Sequence, residues 1–224
     1  MNDCVQVKNL NKSFGKSQIL HNINLTIGKG EVYGLIGENG AGKTTLLRLI
    51  SGLLKPSDGS IAIHTSKQYI GYMPQTCRFG DHNSVSNVIR FFSALKKTDA
   101  SDSFALCEKL KLDTKKKVKH LSPGQQKKLQ IVIAMTGDPD FYILDEPTAG
   151  LDPRATFEML EIIQSIRRRG KSMIVSSHII SDMDEICTNI AIIEKGKLTY
   201  NQRLEEGCNV KNLYQHQMRK EDEV

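Results

Sequence analysis

The chain has no tryptophan, and aromatic residues make up only 6% of its 224 residues. It also lacks any apolar run close to the roughly 20 residues that a membrane-spanning helix needs. Runs such as Ile131–Met135 are much shorter. The N-terminal residues Met1–Cys4 lack the basic and apolar regions of a secretion signal. These absences predict a chain that stays in the cytosol and does not form a pore by itself.

Cysteine is sparse and scattered, with five residues and no Cys-x-x-Cys pair. An odd, dispersed set favours reduced thiols over disulfides or a zinc site. Hydrophobic residues at 39% and charged residues at 25% are ordinary for a globular protein. The length suits one large domain, or one domain with a lobe. The cysteines are Cys4, Cys77, Cys107, Cys187 and Cys208.

Acidic residues are fewer than basic ones, and the formal net charge is +6. Part of the positive excess lies in a lysine-rich segment, residues 109–119. Such a patch can bind nucleic acid or anionic lipid. However, no aromatic residues are interleaved with these lysines to stack on bases, so we expect a solvated linker and no nucleic-acid partner. The lysines are Lys109, Lys111, Lys115, Lys116, Lys117 and Lys119.

One glycine-rich segment, Gly37–Thr44, fits the phosphate-loop pattern of Gly, any four residues, Gly-Lys and then Ser or Thr. It follows the run Glu31–Ile36, which predicts a buried strand. Backbone N–H groups of such a loop surround triphosphate oxygens, and a helix beginning near Lys43 adds its positive end. Lys43 is expected on the β- and γ-phosphates, and the Thr44 hydroxyl on Mg²⁺. The expected nucleotide-binding residues here are Gly37, Glu38, Asn39, Gly40, Ala41, Gly42, Lys43, Thr44 and Thr45.

A second apolar run, Phe141–Leu144, ends in Asp145 and Glu146. Alone, this pattern is also typical of a core strand followed by a solvated acidic turn. Beside a phosphate loop, a buried strand that delivers a carboxylate supplies what Mg²⁺ coordination needs. We therefore predict Asp145 as the metal-side carboxylate, direct or through water, and Glu146 as the general base for an attacking water. Asp152 and Pro153 are the predicted N-cap and first residue of the next helix.

Three further motifs carry a family resemblance. Leu121–Gln125 resembles the signature motif of ABC-transporter ATPases, with Pro123 where Gly is more usual. Gln75 follows a short strand, and His178 follows an apolar one. The order of all these motifs is that family's order, and the resemblance spans residues 5–207. Proline at the first helical position removes one N–H but costs no helix hydrogen bond, so the departure is mild.

The resemblance implies that the signature motif serves a second copy of the chain. Ser122 and Gly124, with Gln125 beside them, would contact the γ-phosphate bound by the partner. They would do so from the N-terminus of a helix that runs to about Met135. Asp152 would cross the dimer interface.

The resemblance also assigns residues to the chain's own nucleotide. Gln75 would contact Mg²⁺ and the attacking water, and His178 would hold the γ-phosphate and Glu146 in place. Phe14 matches the position where an aromatic residue, usually Tyr, stacks on adenine. Two plainer interpretations stay open: Phe14 as a hairpin core residue and His178 as a helix cap.

Periodicity and the resemblance together predict an α/β fold. We expect a P-loop NTPase core with a mixed, mainly parallel sheet flanked by helices, an antiparallel β subdomain and a small helical subdomain. A single domain, 1–224, is expected, with the core at about 1–75 and 137–207. The helical subdomain would be about 76–136, and 208–224 a C-terminal helix and tail. For a helix near Val210–Met218 we favour docking on the core over docking on a partner.

The resemblance implies an ATPase that binds ATP and Mg²⁺ between two head-to-tail copies. It would power substrate movement through a separate integral membrane permease, at the inner face of the cell membrane. The segments His178–Cys187 and Ile192–Leu198 resemble those of small bacterial exporter ATPases, which favours export of a drug, peptide or lipid. An importer ATPase and a soluble, non-transport ATP switch stay open as alternatives. The sequence does not name the substrate, because in this family the permease selects it.

Overall fold

The computed structural model describes residues 3–65, 70–205 and 210–215. Its strands are β1 Asp3–Phe14, β2 Ser17–Gly28, β3 Val32–Ile36, β4 Asp58–Ile63, β5 Gly71–Met73, β6 Phe141–Asp145, β7 Ser172–Ser177, β8 Asn189–Glu194 and β9 Lys197–Arg203. Its helices are α1 Lys43–Ile50, α2 Val85–Leu95, α3 Ser101–Lys109, α4 Pro123–Met135, α5 Pro153–Arg168 and α6 Ile180–Ile186.

The larger sheet has the strand order β5-β6-β7-β3-β8-β9, and β9 alone runs antiparallel to its neighbour. β3, β6 and β7 are buried along their whole length, as expected for parallel strands covered on both faces. Asp145 pairs with Ser176, and Ile36 with Ser177. Parallel strands end at the same edge of a sheet, so the phosphate loop, the acidic pair and His178 all follow that edge.

The smaller sheet is antiparallel, with the order β2-β1-β4. Its apolar side chains form one hydrophobic cluster with α1 and with one face of the larger sheet, where Phe141 and Ile143 lie. Tyr142 and Leu144 point to the opposite face and belong to a second cluster that includes residues of α2, α4, α5 and α6. Alternation along β6 therefore divides the core into two layers, each burying side chains worth about 1.5–3 kcal/mol apiece.

Two helices begin after residues of the types that favour N-caps, Ser84 and Asp152. Ser84 caps α2, and its hydroxyl accepts a hydrogen bond from the backbone N–H of Asn87 at 3.2 Å. Asp152 caps α5. Residues 55–59, Lys-Pro-Ser-Asp-Gly, are typical of a turn, but β4 begins within them at Asp58. The backbone N–H of Ser57 donates to the Asn11 carbonyl at 2.9 Å, and this contact lets the pairing with β1 start earlier.

The C-terminal part is helical over residues 210–215. Val210 is buried, and its N–H donates to the Asp184 Oδ1 at 2.6 Å. Tyr214 packs against the same cluster as Val210. The described part of this helix thus docks on the core, whereas its expected end at Met218 lies outside the described residues. Within the described ranges, no helix is long and apolar enough to cross a membrane.

Candidate functional site

The phosphate loop runs from the end of β3 to the start of α1 and depends on glycine. Gly42 has φ 110, in the left-handed region. A Cβ added at Gly37 would lie 2.4 Å from the Ile193 carbonyl oxygen, so only glycine fits there. The loop borders a cavity of about 350 Å³. Its lining residues are Ile19, Glu38, Asn39, Gly40, Gly42, Lys43, Thr44, Thr45, Gln75 and Glu146.

Glu146 lies between two nitrogen groups of this cavity. Its Oε1 is 3.3 Å from the Lys43 ammonium and its Oε2 is 2.7 Å from the His178 Nδ1. Lys43 also donates to the carbonyl oxygens of Gly37 at 2.6 Å and Glu38 at 3.1 Å. Glu146 is 3% exposed and His178 46% exposed. The arrangement fixes a buried carboxylate beside the loop, and the His178 imidazole that contacts it is partly exposed and is not among the residues lining the cavity.

Asp145 is fully buried at the end of β6. Its Oδ1 accepts a 2.6 Å hydrogen bond from the Ser176 hydroxyl, which in turn accepts one from the Glu146 N–H at 3.0 Å. Its Oδ2 is buried and has no hydrogen-bond partner within the part of the chain that the structure describes. Such an oxygen is costly unless it binds a cation, and carboxylate oxygen is a ligand that Mg²⁺ prefers. The residues present therefore fit Mg²⁺.

The backbone of Glu146 is held in the left-handed region, with φ 51. Residues other than glycine rarely adopt it, at a cost of about 1–3 kcal/mol, and such strain clusters at functional sites. The Glu146 N–H donates to the Ser176 carbonyl at 3.2 Å, and its carbonyl accepts from the Lys127 ammonium at 2.9 Å. These contacts hold the strained residue in place.

Lys127 is a residue that sequence reasoning missed. Its ammonium also donates to the Gln75 carbonyl at 3.0 Å, and its side chain is 9% exposed. Burial lowers the pKa of the Lys127 ammonium, while the nearby Asp145 and Glu146 carboxylates raise it. The sequence carries little signal for this role, because a lysine within a helix is usually solvated.

The signature segment begins α4 through a capping box. The Ser122 hydroxyl accepts from the Gln125 N–H at 3.3 Å, and the Gln125 Oε1 accepts from the Ser122 N–H at 3.2 Å. Lys116, in the lysine-rich segment, adds a 3.0 Å hydrogen bond to the same Oε1. This end of α4 borders a second cavity of about 640 Å³. It is lined by Lys111, Ser122, Pro123, Gly124, Gln125, Lys128, Gly150, Leu151, Asp152, Arg154, Ala155 and Glu158.

The two cavities separate the sequence-predicted residues into two groups. Lys43, Gln75 and Glu146 line the first cavity, whereas Ser122 and Asp152 line the second. No residue among those described lines both. One chain thus has a phosphate-loop side and a signature side, and a third cavity lined by Gln75 and Pro123 lies between them.

Phe14 and His178 each had a plainer interpretation as a structural residue. Phe14 is 49% exposed, with the Lys12 ammonium 4.8 Å from its ring centroid, so it is not a core residue. It is not among the residues that line the first cavity, and adenine stacking stays a prediction. Ile179 is the N-cap of α6, without a side-chain cap. His178 contacts Glu146 instead, which disfavours the helix-cap interpretation.

A phosphate loop between a buried strand and a helix, with a carboxylate at the end of a parallel strand, defines a P-loop nucleotide-binding protein. The chain belongs to the ABC transporter family, whose family model matches residues 20–149, more than half of the chain. It is the ATP-binding subunit of an ABC transporter, and this family hydrolyses ATP. The resemblance stated from the motifs is confirmed.

Two relatives illustrate the match. The lantibiotic transport ATP-binding protein SrtF of Streptococcus pyogenes is 33% identical over 222 residues, covering 96% of this chain and 97% of the relative. The Nod factor export ATP-binding protein I of Burkholderia lata is 32% identical over 231 residues, covering 94% and 76%.

Solved structures agree on the fold. A structure described as the ATP-binding subunit of an ABC transporter has a TM-score of 0.85 at 25% identity, covering 96% of this chain and 99% of that one. An ATP-binding cassette in its ADP conformation has a TM-score of 0.81 at 22% identity, with 96% of each chain covered. The expected α/β fold with its antiparallel and helical parts is confirmed.

Proposed function

We propose that two copies of this chain close head to tail around two ATP molecules and that hydrolysis reopens them. The observation that carries this proposal is the separation of the two cavities. The phosphate-loop cavity holds Lys43 and Glu146, while Ser122 and Gly124 line the other one. A head-to-tail dimer brings the signature side of each copy to the phosphate-loop side of the other, so the same contact occurs twice.

The residues of the phosphate-loop side divide the chemistry among them. Lys43 and the loop N–H groups bind phosphate oxygens, and Glu146 accepts a proton from the attacking water. His178, 2.7 Å from the Glu146 Oε2, orients that carboxylate. Thr44, Asp145 and Gln75 would hold Mg²⁺, which supplies charge neutralisation when bound.

ATP and ADP differ in the group available for contact with the second copy of the chain. The γ-phosphate is the group that Ser122 and Gly124 of the second copy would contact. Loss of the γ-phosphate destabilises the closed dimer relative to the open one, so the population shifts toward the open dimer. The dimer thereby converts hydrolysis into an opening motion.

Trapping the dimer tests this proposal. Glu146→Gln protein with Mg²⁺ and ATP should double its mass in light scattering, whereas the same protein with ADP should stay a monomer. Glu161→Gln, a neutral amide in place of an exposed carboxylate on α5, serves as the control and should dissociate as it turns over. A Glu146→Gln protein that stays monomeric with saturating ATP would refute the sandwich.

We further propose that the dimer powers export through a separate integral membrane permease at the inner face of the cell membrane. Support comes from relatives whose names include lantibiotic transport and Nod factor export. The division into a core, 1–75 and 137–207, and a helical subdomain, 76–136, belongs to this proposal. The helical subdomain carries exposed Phe91 and Leu95 on α2, which suit an apolar contact with the permease.

Affinity purification of the tagged chain from its native membranes in mild detergent tests the transport proposal. A multi-span membrane protein in equal amount is the expected result, and its identity would distinguish export from import. A chain that brings down only soluble proteins would favour the alternative of a non-transport ATP switch. That outcome would leave the ATPase assignment intact.

A further inference from the structure

Lys127 joins three parts of the molecule through one ammonium group. It lies on α4, whose N-cap is Ser122. Its Nζ donates to the main-chain carbonyls of Gln75 at 3.0 Å and Glu146 at 2.9 Å. The hydrogen bond to Glu146 is buried, and the lysine is 9% exposed. Hydrogen bonds from a charged donor in such surroundings are stronger than neutral ones.

The two carbonyls belong to residues that line the phosphate-loop cavity. The helix that carries Lys127 begins in the other cavity, at Ser122 and Gly124. The two hydrogen bonds of the Lys127 ammonium thus connect α4, on the signature side, to the main chain of Gln75 and Glu146, on the phosphate-loop side. A long, single side chain spans the distance that separates the two sides.

We propose that Lys127 is a positioning residue that couples the two nucleotide sites of the dimer. The inference rests on the head-to-tail dimer proposed above. Contact between Ser122 and the nucleotide of the partner moves or fixes the N-terminus of α4. Lys127 transmits that change to the main chain of Gln75 and Glu146, and so aligns these side chains on the chain's own nucleotide. Lys127 itself does not touch the nucleotide.

The chain offers a matched comparison in Lys96. This partly buried lysine, which follows α2, donates to two main-chain carbonyls near the C-terminal end of α4, those of Ile133 at 3.0 Å and Thr136 at 3.0 Å. Both lysines therefore satisfy a pair of carbonyl groups and attach a segment to α4. Only Lys127 reaches residues of the phosphate-loop cavity. A difference between the two variants isolates the coupling role from helix anchoring.

The experiment compares Lys127→Met, Lys127→Arg and Lys96→Met in the full chain. ATP hydrolysis is measured against ATP concentration to give kcat and the Hill coefficient, and ATP binding is measured at protein concentrations where the chain is monomeric. Lys127→Met should lower kcat about tenfold to a hundredfold, since small misplacements of reacting groups have effects of this order. Its Hill coefficient should fall to that of independent sites, while the monomer Kd for ATP stays within about twofold.

Lys127→Arg, which retains donors for both carbonyls, should recover most of the turnover and the cooperativity. Lys96→Met should lower the denaturation midpoint much as Lys127→Met does, but keep the wild-type kcat and Hill coefficient. The proposal is overturned if Lys127→Met and Lys96→Met give the same kinetics. It is also overturned if Lys127→Met weakens ATP binding to the monomer while cooperativity persists.

The cooperativity of ATP hydrolysis by the wild type distinguishes failure of the dimer proposal from failure of the Lys127 proposal. A wild-type chain that hydrolyses ATP without cooperativity contradicts the dimer on which the coupling depends. A cooperative wild type with an equally cooperative Lys127→Met contradicts the coupling role alone.

Discussion

At the scale of single residues, Glu146 combines several costly features. It is 3% exposed, has a left-handed backbone with φ 51, and lies between Lys43 and His178. A buried carboxylate is tolerated when it is paired with charges and hydrogen-bond donors. Strain and burial at one position indicate a group placed for chemistry rather than for stability.

Replacing Glu146 by Gln tests its role as the base. The amide keeps the size of the side chain but cannot accept the proton, so turnover should fall by about 10²–10⁴-fold. Binding of ATP to the protein should persist. Phosphate release and equilibrium ATP binding measure the two effects, with Glu161→Gln as the matched control. Hydrolysis at the wild-type rate would remove Glu146 from the mechanism.

Replacing Lys43 by Ala tests the phosphate loop. Lys43 is 6% exposed and supplies the buried cation of the first cavity. Its loss should abolish measurable ATP binding, because the charge-assisted contacts to the phosphates disappear. Isothermal titration calorimetry measures the affinity. Lys29→Ala, in an exposed turn, should bind ATP as the wild type does, and full retention of affinity by Lys43→Ala would contradict the assignment.

At the scale of elements, two helices share one kind of N-cap but differ in surroundings. Ser122 caps α4 in the signature cavity, and Ser84 caps α2 away from both nucleotide cavities. Each hydroxyl accepts a backbone N–H within its own helix. Both caps are therefore expected to stabilise their helices, and in the proposed dimer only Ser122 would contact a nucleotide.

Ser122→Ala and Ser84→Ala should each lower the free energy of unfolding by about 1 kcal/mol, the usual cost of a lost cap. Only Ser122→Ala should reduce ATP-dependent dimerisation, because in the proposed dimer its hydroxyl would contact the nucleotide of the partner. Denaturant titration and light scattering measure these effects. Equal dimerisation by the two variants would argue against a trans contact by Ser122.

Lys96, which contacts the C-terminal end of α4, should make the free energy of unfolding depend on pH. Burial lowers the pKa of its ammonium to about 8 from its ordinary value of 10.5. Between these values the unfolded chain binds more protons than the folded one, so the contribution of Lys96 to stability rises with pH. The slope is at most about 1.4 kcal/mol per pH unit.

Comparison of the wild type with Lys96→Met isolates the contribution of Lys96 to the free energy of unfolding. The difference in unfolding free energy, wild type minus variant, should be flat below pH 8 and increase from pH 8 to 10.5. Urea titrations at several pH values measure it. A difference that decreases over this range would contradict a lowered pKa for Lys96.

At the scale of the whole molecule, three phenylalanine rings pack in a row that reaches the surface of the helical part. The rings of Phe79 and Phe92 have centroids 6.0 Å apart, and those of Phe92 and Phe91 are 5.3 Å apart. Phe79 lies shortly after Gln75 in the chain, and Phe91 is exposed on α2. A partner seated on Phe91 would therefore contact the exposed end of this row of rings.

Phe91→Ser should reduce co-purification of the permease several-fold without changing ATP binding by the isolated chain, since exposed aromatic residues often anchor interfaces. Phe157→Ser on α5 is the matched control, because Phe91 and Phe157 are each 63% exposed. Quantitative mass spectrometry of the purified complexes measures the effect. An equal loss with both variants would place the permease elsewhere.

Local chemistry in the sequence determined the elements and the motifs. The caps Ser84, Ser122 and Asp152 act within one turn, so the starts of α2, α4 and α5 follow from neighbouring residues alone. The phosphate loop is likewise local, because glycine conformations and a helix start define it. Short continuous apolar runs were enough to predict β3, β6 and β7, though some strand ends, such as the start of β4, depended on pairing.

Tertiary structure alone decided which segments meet. Lys127 and Gln75 are 52 positions apart, and Glu146 and His178 are 32 apart. The family resemblance implied the contact between Glu146 and His178, but nothing in the sequence indicated that of Lys127. The contact of Glu146 with His178 forms because the parallel strands β6 and β7 end at one edge of the sheet. The contact of Lys127 with Gln75 forms because α4 packs against β5, which precedes Gln75. The same packing buries the Lys127 ammonium, exposes Phe14 and keeps Ser122 out of the phosphate-loop cavity. Such outcomes depend on the relative positions of whole layers, which neighbouring residues do not encode.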